Sequence, residues 1–143
     1  MTPAEELAAA TEKLRKLSTT ATPGPWRDHD THLGQYGHTA TVLSGEGNDT
    51  DLRAWLPSMS QEPWDERRNV WADAAYIAAM HPGVGCALAD WLESTAELHE
   101  PNVCTKHEGC GPFGCQWCAD EDWPCADIRN ALAVARAVLG GPR

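Results

Sequence analysis

The chain has 143 residues and a formal net charge of −10, from 21 Asp+Glu against 11 Lys+Arg. That length gives room for one ordinary domain with a moderate core, and that charge repels nucleic acid and anionic membrane unless a local basic patch offsets it. No apolar run reaches the length of a membrane span, and the opening Met-Thr-Pro-Ala-Glu-Glu-Leu has neither segment of a secretory leader, so a cytoplasmic setting is expected.

The first 20 residues read as a helix. Thr2 and Glu5 make a capping box around Pro3, and Leu7, Ala10, Leu14 and Leu17 recur at helical spacing. The helix is expected to run to about Leu17, because 18–25 (Ser-Thr-Thr-Ala-Thr-Pro-Gly-Pro) breaks it. Residues 26–57 then carry short β-like runs: 26–32, a turn between Gly34 and Gly37, 39–43, a polar break at 45–49, and 51–56, where Leu52, Ala54 and Leu56 alternate with Arg53 and Trp55. Two or three antiparallel strands result, and so small a sheet needs helices to cover it. His29, His32 and His38 fall on this sheet beside Asp28 and Asp30. They read first as solvated strand residues, with a weaker second metal site as the sharper alternative.

A helical hairpin is expected over 64–98. Val70, Trp71, Ala74, Ala75, Ile77 and Ala78 share one broad side of its first helix, and His81-Pro82-Gly83 stops it. Val84, Leu88, Trp91, Leu92, Thr95 and Leu98 trace one face of the second. Cys86 is expected as a small buried residue there, and Trp26, Trp71 and Trp91 as core aromatics. A last helix over 126–140 carries a stripe of Ile128, Ala131, Leu132, Ala135, Val138 and Leu139, ended by Gly140-Gly141-Pro142.

Between these helices lies 99–125, which holds five of the six cysteines and two of the six histidines: His99, and then from Cys104 the order C-x2-H-x2-C-x4-C-x2-C-x6-C. Tightly clustered thiols in a reducing compartment favour metal over disulfides. Cys115 and Cys118, in a C-x2-C turn, supply two thiolates from one loop, which is what tetrahedral zinc requires. Cys125 precedes a helix start, where free amides and the helix dipole stabilise a thiolate. Three thiolates leave one place, for which His99, Cys104, His107 and Cys110 compete; a second metal, in a shared cluster, is the only way to use nearly all of these donors.

Catalytic patterns are missing: there is no H-E-x-x-H, and no H-x-E followed by P-C-x-x-C. Between Asp90 and Asp127 nine acidic residues face Lys106 as the lone lysine or arginine, the wrong sign for reading DNA. A closed, structural Zn2+ site is therefore expected, with no catalytic residues and no bound organic cofactor.

Two segments carry a resemblance. Ala21-Thr22-Pro23-Gly24-Pro25-Trp26 with the later 72–79 run Ala-Asp-Ala-Ala-Tyr-Ile-Ala-Ala resembles the signature of small accessory proteins of bacteriophages and prophages, including the Ead-like proteins. Cys115-Gln-Trp-Cys118 followed by Trp123-Pro124-Cys125 and Ala131-Leu132 is similar to the tail of actinobacterial phage versions, in which a histidine in an H-x-P context precedes the cysteines. The likeness covers roughly 21–135 and places His99 ahead as fourth ligand, since His99-Glu100-Pro101 matches that context. It implies a non-catalytic accessory or regulatory protein of the infected bacterial cytoplasm, mostly of unknown function in the family. The expectation is one α+β domain over 1–143: a small antiparallel sheet covered by helices, with a zinc-clipped loop before the C-terminal helix. Its acidic surface and exposed aromatics would bind a host or phage protein. A small zinc-dependent enzyme of nuclease or deaminase type is the alternative, and a nucleic-acid-binding zinc module ranks below it.

Overall fold

The computed structural model describes residues 1–32, 38–56, 70–104, 106, 110–119 and 122–141. It is α+β. Among the described residues run α1 (Pro3–Thr20), β1 (Trp26–Asp30), β2 (Ala40–Ser44), β3 (Asp51–Leu56), α2 (Val70–Ala79), α3 (Pro82–Leu98) and α4 (Ala126–Leu139). The turn expected between Gly34 and Gly37 and everything expected over 57–69 lie outside those residues. No helix among those described is long and apolar enough to cross a membrane.

The chain divides into two compact units, Leu17–Gly85 and Met1–Lys16 with Cys86–Arg143. The two helices expected as a hairpin fall on either side of this division: α2 lies in the first unit, and α3 enters the second from Cys86.

In the sheet unit the strands lie in the order β1-β2-β3, antiparallel throughout, with β2 central and buried along its length. Ala40 and Val42 project from one face onto Ala74 and Ala78 of α2, and Trp26, Ala54, Leu56, Val70 and Ile77 close the edges of that core. Small alanines on α2 let its backbone approach the sheet closely. The expected alternation in β3 fails at one position. Val42 pairs with Ala54 but Leu43 pairs with Leu52, so Arg53 is the extra residue of a bulge. A bulge moves every residue beyond it to the opposite face, and Leu52 leaves the core and lies exposed. Trp71, also expected inside, is exposed: it stands in the first turn of α2, and the buried part of the stripe begins one turn later, at Ala74 and Ala78.

At the junction after α2, His81 takes the capping position for α3. Its Nδ1 accepts the Gly83 N–H at 3.1 Å and its carbonyl accepts the Val84 N–H at 2.9 Å, with Pro82 in the first helical position, where no amide is needed.

The helical unit is built on Leu7, Ala10, Leu92, Ile128, Ala131, Leu132 and Ala135, with Cys115 and Cys125 in the same buried cluster. The capping box of α1 is formed: Glu5 N–H donates to Thr2 Oγ1 at 3.3 Å, and Thr2 N–H to Glu5 Oε2 at 2.7 Å. The α1 helix continues past Leu17 to Thr20, and Leu17 is exposed. On α3 the buried line is Ala89, Leu92 and Thr95, which leaves Trp91 and Leu98 exposed and Cys86 half-buried, against the expectation for all three. The stripe on α4 is the expected one, and the helix ends with Gly140 in the left-handed region at φ 78°. Gly140 N–H reaches the Ala137 carbonyl at 3.3 Å and Gly141 N–H the Arg136 carbonyl at 3.0 Å, the paired bonds of a Schellman ending. Arg136 bonds both oxygens of Glu6 at 2.8 and 3.2 Å, and Arg15 bridges Asp90 and Glu93 at 2.9 and 2.6 Å.

Candidate metal centre

Three pieces of chain meet at this centre. The first is the end of α3. His99 N–H donates to the Thr95 carbonyl at 3.1 Å, which carries the helical path one residue past Leu98. His99 thereby falls in line with Leu92 and Thr95 on the buried side, and only 8% of it is exposed.

The second piece is a short ribbon. Gln116 N–H donates to the Glu100 carbonyl at 2.9 Å, Asn102 N–H to the Gly114 carbonyl at 3.1 Å, and Phe113 N–H to the Asn102 carbonyl at 3.0 Å. Pro101 and Cys115 are bridged partners between them. This pairing folds Cys115 back beside His99. The turn then continues to Cys118, after which Ala119 takes a left-handed φ of 54°.

The third piece is the start of α4. Cys125 is its N-cap residue, fully buried, and its carbonyl accepts the Arg129 N–H at 2.9 Å. Its thiol makes no capping bond and is left to face the histidine. His99 Nδ1 lies 3.4 Å from Cys125 Sγ and 3.5 Å from Cys115 Sγ.

Ligand atoms of His99, Cys115, Cys118 and Cys125 all fall within 4.8 Å of one another. A tetrahedral zinc with arms of about 2.3 Å to sulfur and about 2.0 Å to nitrogen separates N from S by about 3.5 Å. The two N–S separations in this cluster match that edge. The cluster could hold a metal ion.

The electrostatics agree. Burial on its own would push the Cys115 thiol up, but the amides of Cys118 and Trp117, then the Cys118 and His99 side chains, outweigh it and bring the thiol down to about 6. Backbone N–H groups aimed at sulfur are what a C-x2-C turn provides.

On the far side of the ring, His99 Nε2 is 3.5 Å from Asp127 Oδ2 in the first turn of α4. A carboxylate on the outer nitrogen holds the tautomer that leaves Nδ1 free as a donor. Asp127 was missed in the sequence, although an acidic residue two positions after a ligand that begins a helix is a readable signal.

Of the other candidates, Cys104 and Cys110 are not members of the four-donor group. The Cys110 thiol is instead pushed up by its hydrogen bond with Cys104. His107 lies outside the described residues. A second donor group, Asp30, His32 and His38, is found in the sheet unit.

Val103, Phe113 and Trp117 are exposed on the ribbon and turn that carry Cys115 and Cys118. Compared with protein-family models, with curated proteins and with solved structures, the chain matches none.

Proposed function

We propose that His99, Cys115, Cys118 and Cys125 bind one structural Zn2+, and that the protein is a non-catalytic, phage-encoded accessory or regulatory protein that acts by binding a host or phage protein. The observation that carries the zinc assignment is the gathering of three thiols and one imidazole within 4.8 Å of one another, with two N–S separations at the tetrahedral edge. Thiolate and imidazole together favour zinc among common cations, and hard cations such as Mg2+ prefer oxygen. Four protein donors fill a tetrahedron and leave no position for a reactive water, which supports a structural ion over a catalytic one.

Recognition of a protein is supported by the surface around the centre. Trp117 is 67% exposed on the turn between two ligands, and Phe113 and Val103 are exposed nearby. Aromatics held on a rigid, metal-clipped turn lose little entropy on docking. Net charge −10 favours a basic protein surface over nucleic acid as the complement. The phage setting rests on the likeness of the Ala21–Trp26 segment and the cysteine tail described above.

Native mass spectrometry of the purified protein tests the ion: one zinc per chain is expected, lost on His99→Ala or Cys125→Ala. Capture from a host lysate tests the interaction, and a specific protein should be retained by the zinc-loaded chain and lost by Trp117→Ala. Steeply salt-dependent binding to DNA in place of a protein partner would overturn the interaction reading. Synthesis confined to infection or prophage induction is expected, and constitutive expression from a host gene would refute the phage assignment.

A further inference from the structure

The sheet unit carries a second set of donors that the thiol centre does not use. Asp30 pairs with Ala40 across β1 and β2, and Thr31 N–H donates to the Thr39 carbonyl at 2.9 Å. The antiparallel register thus continues one step beyond β1, to Thr31 opposite Thr39, and the next step along it sets His32 opposite His38. Opposed residues share a face of a sheet, as do residues two apart on one strand. Asp30, His32 and His38 are brought to one face for that reason, while His29, opposite Thr41, points from the other.

The geometry is that of a donor cluster. The ligand atoms of the three residues lie within 4.8 Å of one another. The two imidazole rings are 5.1 Å apart and tilted by 50°. His38 Nδ1 sits 2.7 Å from Asp30 Oδ2, and Asp30 Oδ1 accepts the Thr39 N–H at 3.1 Å, which fixes the carboxylate in place. The His38 ring first, and the Thr39 amide with it, keep the Asp30 carboxyl below its ordinary range against the effect of burial.

We propose that Asp30, His32 and His38 form a second, open binding site for a divalent transition-metal ion such as Zn2+. Two imidazoles and a carboxylate suit zinc and its first-row neighbours. The ion would take the place of the hydrogen bond between His38 Nδ1 and Asp30, with the ring proton of His38 carried on Nε2, and the positions left by a three-donor set would be filled by water or by an oxygen of an anionic ligand. All three side chains are exposed, so this ion exchanges with solvent and binds more weakly than one held in the thiol centre, where three of the four ligands are buried. The site goes beyond the structural zinc reading and does not depend on it.

The test is a titration of the full chain with Zn2+, followed by NMR through the imidazole ring protons. His99 responding at the first equivalent reports on the thiol centre. His32 and His38 are expected to shift together at the next, with His29 unmoved. His38→Ala should weaken that later binding by about 100-fold, at or beyond the upper end of what loss of a supporting residue costs, and His29→Ala should leave it unchanged. Ring signals of His32 and His38 that stay fixed throughout, with the Asp30–His38 pair intact, would overturn the site, whatever His99 does. So would later binding that survives His38→Ala at full strength. The titration of the unsubstituted chain decides the matter even where a variant folds poorly.

Discussion

His99 enters the thiol centre as the last residue of the core stripe on α3, one step past the end of the helix. Its ring is oriented from both sides, by two sulfurs on Nδ1 and by Asp127 on Nε2. Removing an orienting carboxylate costs a metal site roughly 10–100-fold in affinity. Asp127→Asn is therefore expected to weaken zinc binding by that factor, measured by competition with a chromogenic chelator, while Asp122→Asn leaves it unchanged. Cys115 gives a second residue-scale expectation. Its thiol is near 6 against an ordinary 9, so the thiolate that a metal ligand must supply is the dominant form of the folded chain at neutral pH, and the pH dependence of unfolding carries the mark. A depressed thiol makes stability rise with pH across the range where it is ionised in the folded chain and still protonated in the unfolded one. This contribution is complete above about pH 9 and is lost as the pH falls through about 6. Cys115, Cys118 and Cys125 were legible as candidate ligands because thiol spacing is local. By ligand spacing alone His99 stands level with Cys104, His107 and Cys110, and only the resemblance puts it ahead, since what brings it inside is the continued path of α3 and a ribbon pairing Pro101 with Cys115. Neither leaves a mark in ligand spacing.

Elements with one dominant stripe were readable, and elements with two competing faces were not. The α4 stripe buries Ile128, Ala131, Leu132 and Ala135 as its periodicity requires, and Gly140 ends the helix where a glycine should. On α3, Trp91 and Leu92 are adjacent and both apolar, so the 3.6-residue period fits either line; packing selects the one through Leu92 and leaves Trp91 out. In β3 the bulge at Arg53 cannot be inferred from alternation, because alternation is what it interrupts. The connection between β2 and β3 depends on Gly45, with φ 74° and an ideal Cβ position 2.1 Å from the Asp49 carbonyl oxygen. Gly45→Ala meets both a left-handed backbone, which costs about 1–2 kcal/mol for an L-residue, and a backbone contact that cannot move aside cheaply. A loss of about 2 kcal/mol or more is expected in urea unfolding of the sheet unit. Gly47→Ala makes the comparison, since at φ 56° it carries the backbone penalty with open space around the new methyl.

At the scale of the molecule, the two units differ in what holds them together. The sheet unit closes its core with hydrogen-bonded strands and α2. The helical unit relies on a cluster in which three leucines and one isoleucine are joined by three alanines and by two of the candidate ligands themselves, Cys115 and Cys125. Among the described residues few large side chains are fully buried in it, while Leu14, Trp123, Val134, Val138 and Leu139 pack against it half-buried, and a small core of this kind gains from a staple. A structural zinc supplies roughly 10–16 kcal/mol of apparent binding free energy, against roughly 5–15 kcal/mol of net stability for a typical domain. Metal removal should consequently unfold the helical unit rather than loosen it. Hydrogen exchange followed by mass spectrometry, with and without a chelator, reads this by segment. Protection is expected to collapse over 86–104 and 122–139 and in the first turns of α1, and to persist in β1, β2, β3 and α2. Because α1 and α3 run from one unit into the other, their residues 17–20 and 82–85 should show partial loss by fraying. Uniform protection in both units after the metal is gone would show that the thiol cluster is not the staple, and simultaneous collapse of both would show that the sheet unit has no stability of its own.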